Sequence, residues 1–162
     1  MLFIIPIVFV VDGRPVLLFQ RRIGRNGREI IVPKIRTLKN NIHPNKPACV
    51  KEIEVFMTKT GGFLRRHRLD ELPQIFSILA GQMSLVGPRP ELTDIVNCYT
   101  AREMKRLCAR PGLTGFWQIK GPRNQPIHEN IKYDIYYLRK ANLWFDIKIL
   151  IGTAPFVLKG GE

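Results

Sequence analysis

Two adjacent carboxylates, Asp70 and Glu71, stand directly after a basic cluster of Arg65, Arg66, His67 and Arg68, and Pro73 follows two residues later. Two further arginines sit beside prolines: Arg89 between Pro88 and Pro90, and Arg110 before Pro111. A planar guanidinium fork suits phosphate oxygens. A rigid Pro-Arg turn presents that fork with little entropy lost on binding. Carboxylates near arginines and phosphates recruit Mg²⁺, which takes few protein ligands and keeps several phosphate oxygens. An aspartate can also be the nucleophile and form an aspartyl-phosphate. Phosphoryl-type transfer asks mainly for positioning and charge neutralisation, and this set supplies both. A carboxylate pair alone would be weaker evidence, because acids at a helix start also complement its dipole.

The elements that must position these groups are legible in outline. Residues 16–20 and 29–32 are rich in large apolar side chains and flank Asn26-Gly27, a strong hairpin signal because both residues adopt positive φ. From Arg14 to Lys39 there are eight basic residues and one acid, Glu29, so this hairpin carries much of the positive charge. Residues 40–60, with Pro44 and Pro47, read mostly as loop. A short helix is predicted from Phe63 to about Arg68. Leu72, Ile75, Phe76 and Leu79 then follow the i, i+3, i+4, i+7 pattern, with Pro73 in the first turn and Gly81 as the stop. On this placement the dyad precedes a helix N-terminus, and the dipole and the arginines are expected to keep both carboxylates ionised. The stretches 84–92 and 110–122 read as ordered turns, joined by an amphipathic helix over about Leu92 to Cys108. A last predicted helix covers Glu129 to Leu138 or beyond. The end, LWFDIKILIGTAPFVL, is a poor transmembrane helix. It fits either core packing or an interfacial element anchored by Trp144, Phe145 and Phe156. The expected fold class is α+β, mainly helical with a small N-terminal β-hairpin.

Composition narrows the partners. The 162 residues suit one domain, spanning 1–162, with a modest core. Apolar residues make up 45%, too many for a disordered basic tail, and the formal charge is +13. Such a surplus calls for an anionic partner: phosphorylated substrate, anionic membrane or nucleic acid. Against nucleic acid, no helix-turn-helix, ribonucleoprotein-type or zinc-finger pattern is present. Cys49, Cys98 and Cys108 are odd in number, follow no CxxC spacing, and are expected as small buried hydrophobes. His43, His67 and His128 fit no zinc pattern. The opening run MLFIIPIVFVV is roughly half of the ~20 residues a spanning helix needs. A buried strand, a membrane-dipping segment and the remnant of a longer hydrophobic element all remain open for it.

Several strings, in order, carry a resemblance. RPVLLFQRRIGRNG, KIRTL at 34–38, FLRRHRLDELPQIFSILAGQMSLVGPRPEL, RPGLTGFWQIKG and YDIYYLRKANLWFDIKIL together resemble the bacterial sugar transferases, the monotopic phosphoglycosyl transferases. That resemblance implies transfer of a sugar-1-phosphate from a UDP-sugar donor to a polyprenol phosphate, commonly undecaprenyl phosphate, with UMP leaving. It implies catalytic roles for Asp70 and Glu71, with Asp70 attacking the β-phosphate, forming a covalent phosphosugar and lying near Mg²⁺. Substrate-binding roles follow for Arg89, Arg110, Lys34, Arg36 and Asp134. The implied setting is a monotopic, membrane-associated domain at the cytoplasmic face of the bacterial inner membrane, in contact with anionic lipids. Residues 1–11 then match the remnant of a membrane-dipping segment. A non-catalytic membrane-surface relative is the alternative.

Overall fold

In the computed structural model residues 1, 3–39, 55–122 and 127–160 are described; the loop expected around Pro44 and Pro47, with His43 and Cys49, lies outside them. The apolar N-terminal run forms helix α1 (Ile4–Asp12). Pro6 falls in its first turn, where N–H groups have no intrahelical partner to lose. Gly13, at φ 72°, closes the helix by donating to the Phe9 carbonyl. Val8 is buried against Ile35 and Leu64, whereas Phe3, Ile7 and Val10 are exposed. Among the described residues no helix is long and apolar enough to cross a membrane.

The hairpin forms as expected. Strands β1 (Leu17–Ile23) and β2 (Glu29–Ile35) pair antiparallel, from Leu17 opposite Ile35 to Ile23 opposite Glu29. Asn26 and Gly27 turn the chain at φ 57° and 76°. Alternation along β2 buries Ile30 and Val32 against Met83.

Helix α2 (Gly61–Arg66) begins two residues before the predicted start. A Cβ on Gly61 would run into the Thr37 carbonyl, so the close approach of this helix to the end of β2 needs the glycine. The next segment is a 3₁₀ helix, Leu69–Gln74, running directly into helix α3 (Ile75–Leu79), with Gly81 at φ 72° as the predicted stop. The apolar stripe of this unit faces outward: Leu72, Ile75 and Phe76 are exposed, and Leu79 is 77% exposed. Its inner face is polar, with Asp70, Glu71, Gln74 and Ser77 buried beside Pro73.

The two Gly-Pro-rich stretches are more regular than turns. Strands β3 (Ser84–Val86) and β4 (Gly112–Thr114) pair in parallel. The single helix expected between them is interrupted. Helix α4 (Thr93–Val96) stops, and a 3₁₀ helix, Glu103–Cys108, restarts after Thr100. The restart has a local cause. The Glu103 carboxylate accepts from the Thr100 N–H and hydroxyl at 2.7 and 2.8 Å, a capping box.

Helix α5 (Phe116–Lys120), a 3₁₀ turn (Ile127–Asn130), helix α6 (Lys132–Lys140) and helix α7 (Leu143–Leu158) complete the chain. Asn142 caps α7 by accepting from the Phe145 N–H at 2.9 Å. Ile149 is fully buried with Val86 and Tyr137, whereas Trp144 is 74% exposed. Thus α7 packs on the core with one face and leaves an apolar face open. The fold is α+β, mainly helical with a small N-terminal hairpin, and it adds the parallel β3–β4 pair. Cys98 and Cys108 are exposed free thiols, not the buried hydrophobes expected, because the interrupted helix turns both outward.

Candidate active site

The dyad sits on the 3₁₀ turn that packs on β2. Arg68 enters it in the left-handed conformation, φ 54°, which redirects the chain so that Asp70 and Glu71 face inward. Both are buried, at 9% and 6% exposure. Glu71 is gripped from three elements. Its Oε1 accepts from Lys34 of β2 at 3.2 Å and from Arg89 at 2.9 Å, and Arg68 lies 3.8 Å from Oε2. Burial alone would raise its pKa, but Arg89, Lys34 and Arg68 outweigh that and hold it far below the ordinary carboxylate range. Glu71 in turn raises the pKa of Arg89.

Asp70 behaves differently. Burial and the adjacent Glu71 push its carboxyl above the usual range, against the pull of Lys34, Arg65 and Arg89. No hydrogen bond or ion pair to a described residue holds its carboxylate. The cations thus outweigh burial at Glu71, whereas at Asp70 burial and the neighbouring Glu71 outweigh the cations and the pKa rises. The cations spend their field on the residue they touch.

Beside Glu71 is a small open cleft lined by Arg22, Val32, Lys34, Glu71, Gln74, Arg89 and Pro90. Three cations face one carboxylate here, so the cleft is positive. Burial lowers the pKa of Lys34 more than Glu71 raises it. Burial and the nearby Arg89 push Arg22 down to about 10. Both shifts report the cost of holding like charges together out of water, which an entering anion would relieve.

The structure separates the remaining sequence-derived candidates. Arg36 is buried beneath α1, where its guanidinium donates to the carbonyls of Asp12 and Gly13; it fixes the exit of that helix and does not line the cleft. Asp12 completes this joint by accepting from the backbone N–H groups of Lys59 and Thr60. Arg110 is exposed and also lies outside the cleft lining. Asp134 is 2% exposed and ion-paired with Arg106 at 2.7 Å, behind the cleft rather than in it. Conversely, Arg22, Gln74 and Arg106 belong to the site or its support without a sequence signal that named them, and Arg65 stands out from the basic cluster. Arg65, on α2, is within electrostatic reach of Asp70 and donates to Thr37 Oγ1 at 2.7 Å. Period-two alternation puts Arg22 and Gln20 on one face of β1 and was the one local signal available for Arg22.

Among the described residues no group of three or more His, Cys, Asp or Glu side chains is placed to hold a metal ion. A dedicated protein cage is thereby excluded there. The residues present are compatible with Mg²⁺ held by one carboxylate and substrate phosphates, because the Asp70 carboxylate has no hydrogen bond or ion pair to a described residue and the adjacent cleft is positive.

Comparison with known proteins identifies the family. The family model described as "Bacterial sugar transferase" matches residues 1–160. The galactosyl transferase CpsE of Streptococcus agalactiae is 37% identical over 92% of this chain and 36% of its own length. A UDP-glucose:undecaprenyl-phosphate glucose-1-phosphate transferase of Xanthomonas campestris is 38% identical over 89% of this chain and 32% of its own. The uncharacterized sugar transferase EpsL of Bacillus subtilis is 36% identical over 97% of this chain and 77% of its own. The chain thus spans about a third of the length of the first two relatives and most of the third. With motifs in register along nearly its whole length, this chain belongs to the bacterial sugar transferase family.

Proposed function

We propose that this protein is a transferase that moves a sugar-1-phosphate from a UDP-sugar to undecaprenyl or another polyprenol phosphate, releasing UMP. The observation that carries the reading is the division of labour in the dyad. Glu71 lines a cationic cleft and is locked there by Lys34 and Arg89, while the carboxylate of the adjacent, buried Asp70 has no hydrogen bond or ion pair to a described residue. An Asp70 carboxylate oxygen attacks the β-phosphorus of the donor, and the bond from that phosphorus to the UMP oxygen breaks. The phosphosugar is then held on Asp70 as an acyl phosphate. A phosphate oxygen of the polyprenol phosphate attacks the same phosphorus and expels the carboxylate, leaving a polyprenyl diphosphate sugar.

The chain's other residues supply position and charge. Arg89, Lys34 and Arg22 receive the diphosphate oxygens, and Glu71 holds Lys34 and Arg89 where the phosphates arrive. Arg110, exposed beside the β3–β4 pair, meets the nucleotide end of the donor. Mg²⁺, bound through Asp70 and the diphosphate, would neutralise charge that develops on the phosphates. The exposed apolar faces of α1, α3 and α7, together with the net charge of +13, support residence on an anionic membrane, where the lipid acceptor is found. The cytoplasmic face of the bacterial inner membrane is the setting proposed. Two relatives named as undecaprenyl-phosphate sugar transferases, from Xanthomonas campestris and Salmonella typhimurium, support the same acceptor.

The test is UMP release by detergent-solubilised protein with Mg²⁺, undecaprenyl phosphate and a panel of UDP-sugars, with wild type and Asp70→Asn side by side. Lipid-dependent UMP from one donor is expected, falling at least about a thousandfold in the variant because the nucleophile is gone. Asp70→Asn also removes a buried charge that repels Glu71. It should therefore melt higher, by about 2–4 °C for each kcal/mol gained, which separates lost chemistry from lost fold. A folded wild type that releases UMP from no donor would indicate a non-catalytic relative instead.

A further inference from the structure

Arg89 is the link between the dyad and the rest of the molecule. Its side chain holds Glu71, but its backbone lies between Pro88 and Pro90, and Pro90 offers no N–H to tie the segment down. On one side β4 supplies the anchors: the Thr114 carbonyl accepts from the Gly87 N–H and the Pro88 carbonyl accepts from the Gly112 N–H, both at 2.9 Å. On the other side the Glu91 carbonyl accepts from the Ile23 N–H of β1 at 2.9 Å, and the Arg89 carbonyl itself is held by a side chain. Arg106 donates through Nη2 to the Arg89 carbonyl at 2.8 Å.

The Arg106 guanidinium is itself fixed on every edge. Nε and Nη2 meet Asp134 Oδ2 at 2.8 and 2.7 Å, and Nη1 donates to the Tyr99 hydroxyl at 2.7 Å. Arg106 is 1% exposed and Asp134 2%. A buried ion pair is an inefficient way to stabilise a fold, because an apolar pair of similar volume is often as good or better. What an apolar pair cannot do is donate to the Arg89 carbonyl. The oriented fork does so, and Asp134 orients the fork.

We propose that Arg106 and Asp134 are positioning residues: the pair, seated against Tyr99, grips the Arg89 carbonyl and so aims the Arg89 guanidinium at Glu71 and the cleft. The inference rests on the proposed transferase reading for its consequence in turnover, and on the contacts above for its geometry. Asp134 thereby acts on the substrate at second hand, through two arginines, instead of touching it.

A double-mutant cycle on the detergent-solubilised protein tests this. Arg106→Met/Asp134→Leu replaces the pair with apolar groups of similar bulk, so the variant is expected to fold. UMP release should fall about tenfold or more in kcat, with the KM for the UDP-sugar changing less than threefold. In an Arg89→Ala background the same replacement should cost less than twofold, because the residue it acts through is already gone. Equal losses in both backgrounds would overturn the proposal, and so would wild-type kcat in the folded variant. A second readout needs no turnover. The guanidinium ¹⁵N resonances of Arg89, assigned by Arg89→Lys, should be protected from exchange in wild type and averaged in the Arg106→Met/Asp134→Leu protein. Unchanged Arg89 resonances in a folded variant would overturn the proposal even if wild type released no UMP. Changed resonances without wild-type turnover would uphold it and count against the transferase reading alone. If the double variant does not fold, Tyr99→Phe, which removes only the Nη1 bond, replaces it in both assays. It should shift the Arg89 resonances and lower kcat several-fold, and no change in either would overturn the proposal.

Discussion

Glu71 accepts from Lys34 and Arg89 at 3.2 and 2.9 Å, and this contact dominates the energetics of the site. Glu71→Gln would leave those cations facing each other without their anion. Removing one member of a buried ionic cluster costs about 3 kcal/mol or more, so the variant should melt roughly 6–12 °C lower at pH 7. The sign of the pH dependence follows from the lowered native pKa. The stabilisation from Glu71 is fully present above its unfolded value, near 4.5, and is lost as pH falls through its lower native value. Melting curves for wild type and Glu71→Gln should therefore lie apart at neutral pH and converge below 4.5. A constant gap down to strongly acid pH would show that Glu71 is not held ionised by these cations.

At the level of elements, the β3–β4 pair decides where Arg89 begins. Strands of three residues have little stability of their own, and this pair exists because Gly87 and Gly112 let two backbones nearly touch. A Cβ on Gly112 would be driven into the backbone nitrogen of Gly87, and one on Gly87 into the Arg110 carbonyl. Gly112→Ala must separate the strands, break the Gly112 N–H bond to Pro88 and shift the turn that carries Arg89. A loss of about 2 kcal/mol or more is expected from overpacking against rigid backbone, and UMP release should fall with it. Gly27→Ala, in the hairpin turn, is the contrasting case. A Cβ there meets nothing within 4 Å, so the only cost is the positive φ of 76° and the cleft should be undisturbed. Thermal melting and UMP release on both proteins separate the two outcomes.

At the level of the whole molecule, the 3₁₀–α3 unit is two-faced. Glu71 and Gln74 line the cleft on the inside, while Leu72, Ile75, Phe76 and Leu79 are exposed on the outside. Contiguous exposed apolar residues mark a surface that meets something other than water. On the proposed function that surface meets lipid within one helical turn of the dyad. Phe76→Ser/Leu79→Ser should weaken binding to phosphatidylglycerol vesicles at least about tenfold, since each side chain contributes on the order of 1 kcal/mol when buried. Detergent-solubilised activity with a short-chain acceptor should be largely retained. Raising salt should weaken vesicle binding of wild type further, because the charge of +13 adds an electrostatic term. Unaltered vesicle binding by the variant would place the membrane contact elsewhere.

By itself the sequence determined what depends on local chemistry. Asn26-Gly27 must turn the hairpin because both tolerate positive φ, Gly81 must stop α3, and a dyad followed by Pro73 must open a helical unit. It also pointed to the kind of site proposed, since acids, Pro-Arg turns and a large positive charge together suit phosphate. The motifs were specific enough to indicate the family. What only the tertiary structure decided was which of these residues meet. Lys34 and Glu71 are 37 residues apart and Arg106 and Asp134 are 28 apart, and no local periodicity links either pair. Sequence made Arg36, Asp134 and Lys34 equal candidates; folding placed Lys34 in the cleft, Arg36 beneath α1 and Asp134 behind Arg106. The apolar stripe of α3 was likewise visible as a pattern, but its direction was not. Burial is settled by competition, and here the dyad's cations claimed the inner face, so the apolar side chains were turned outward.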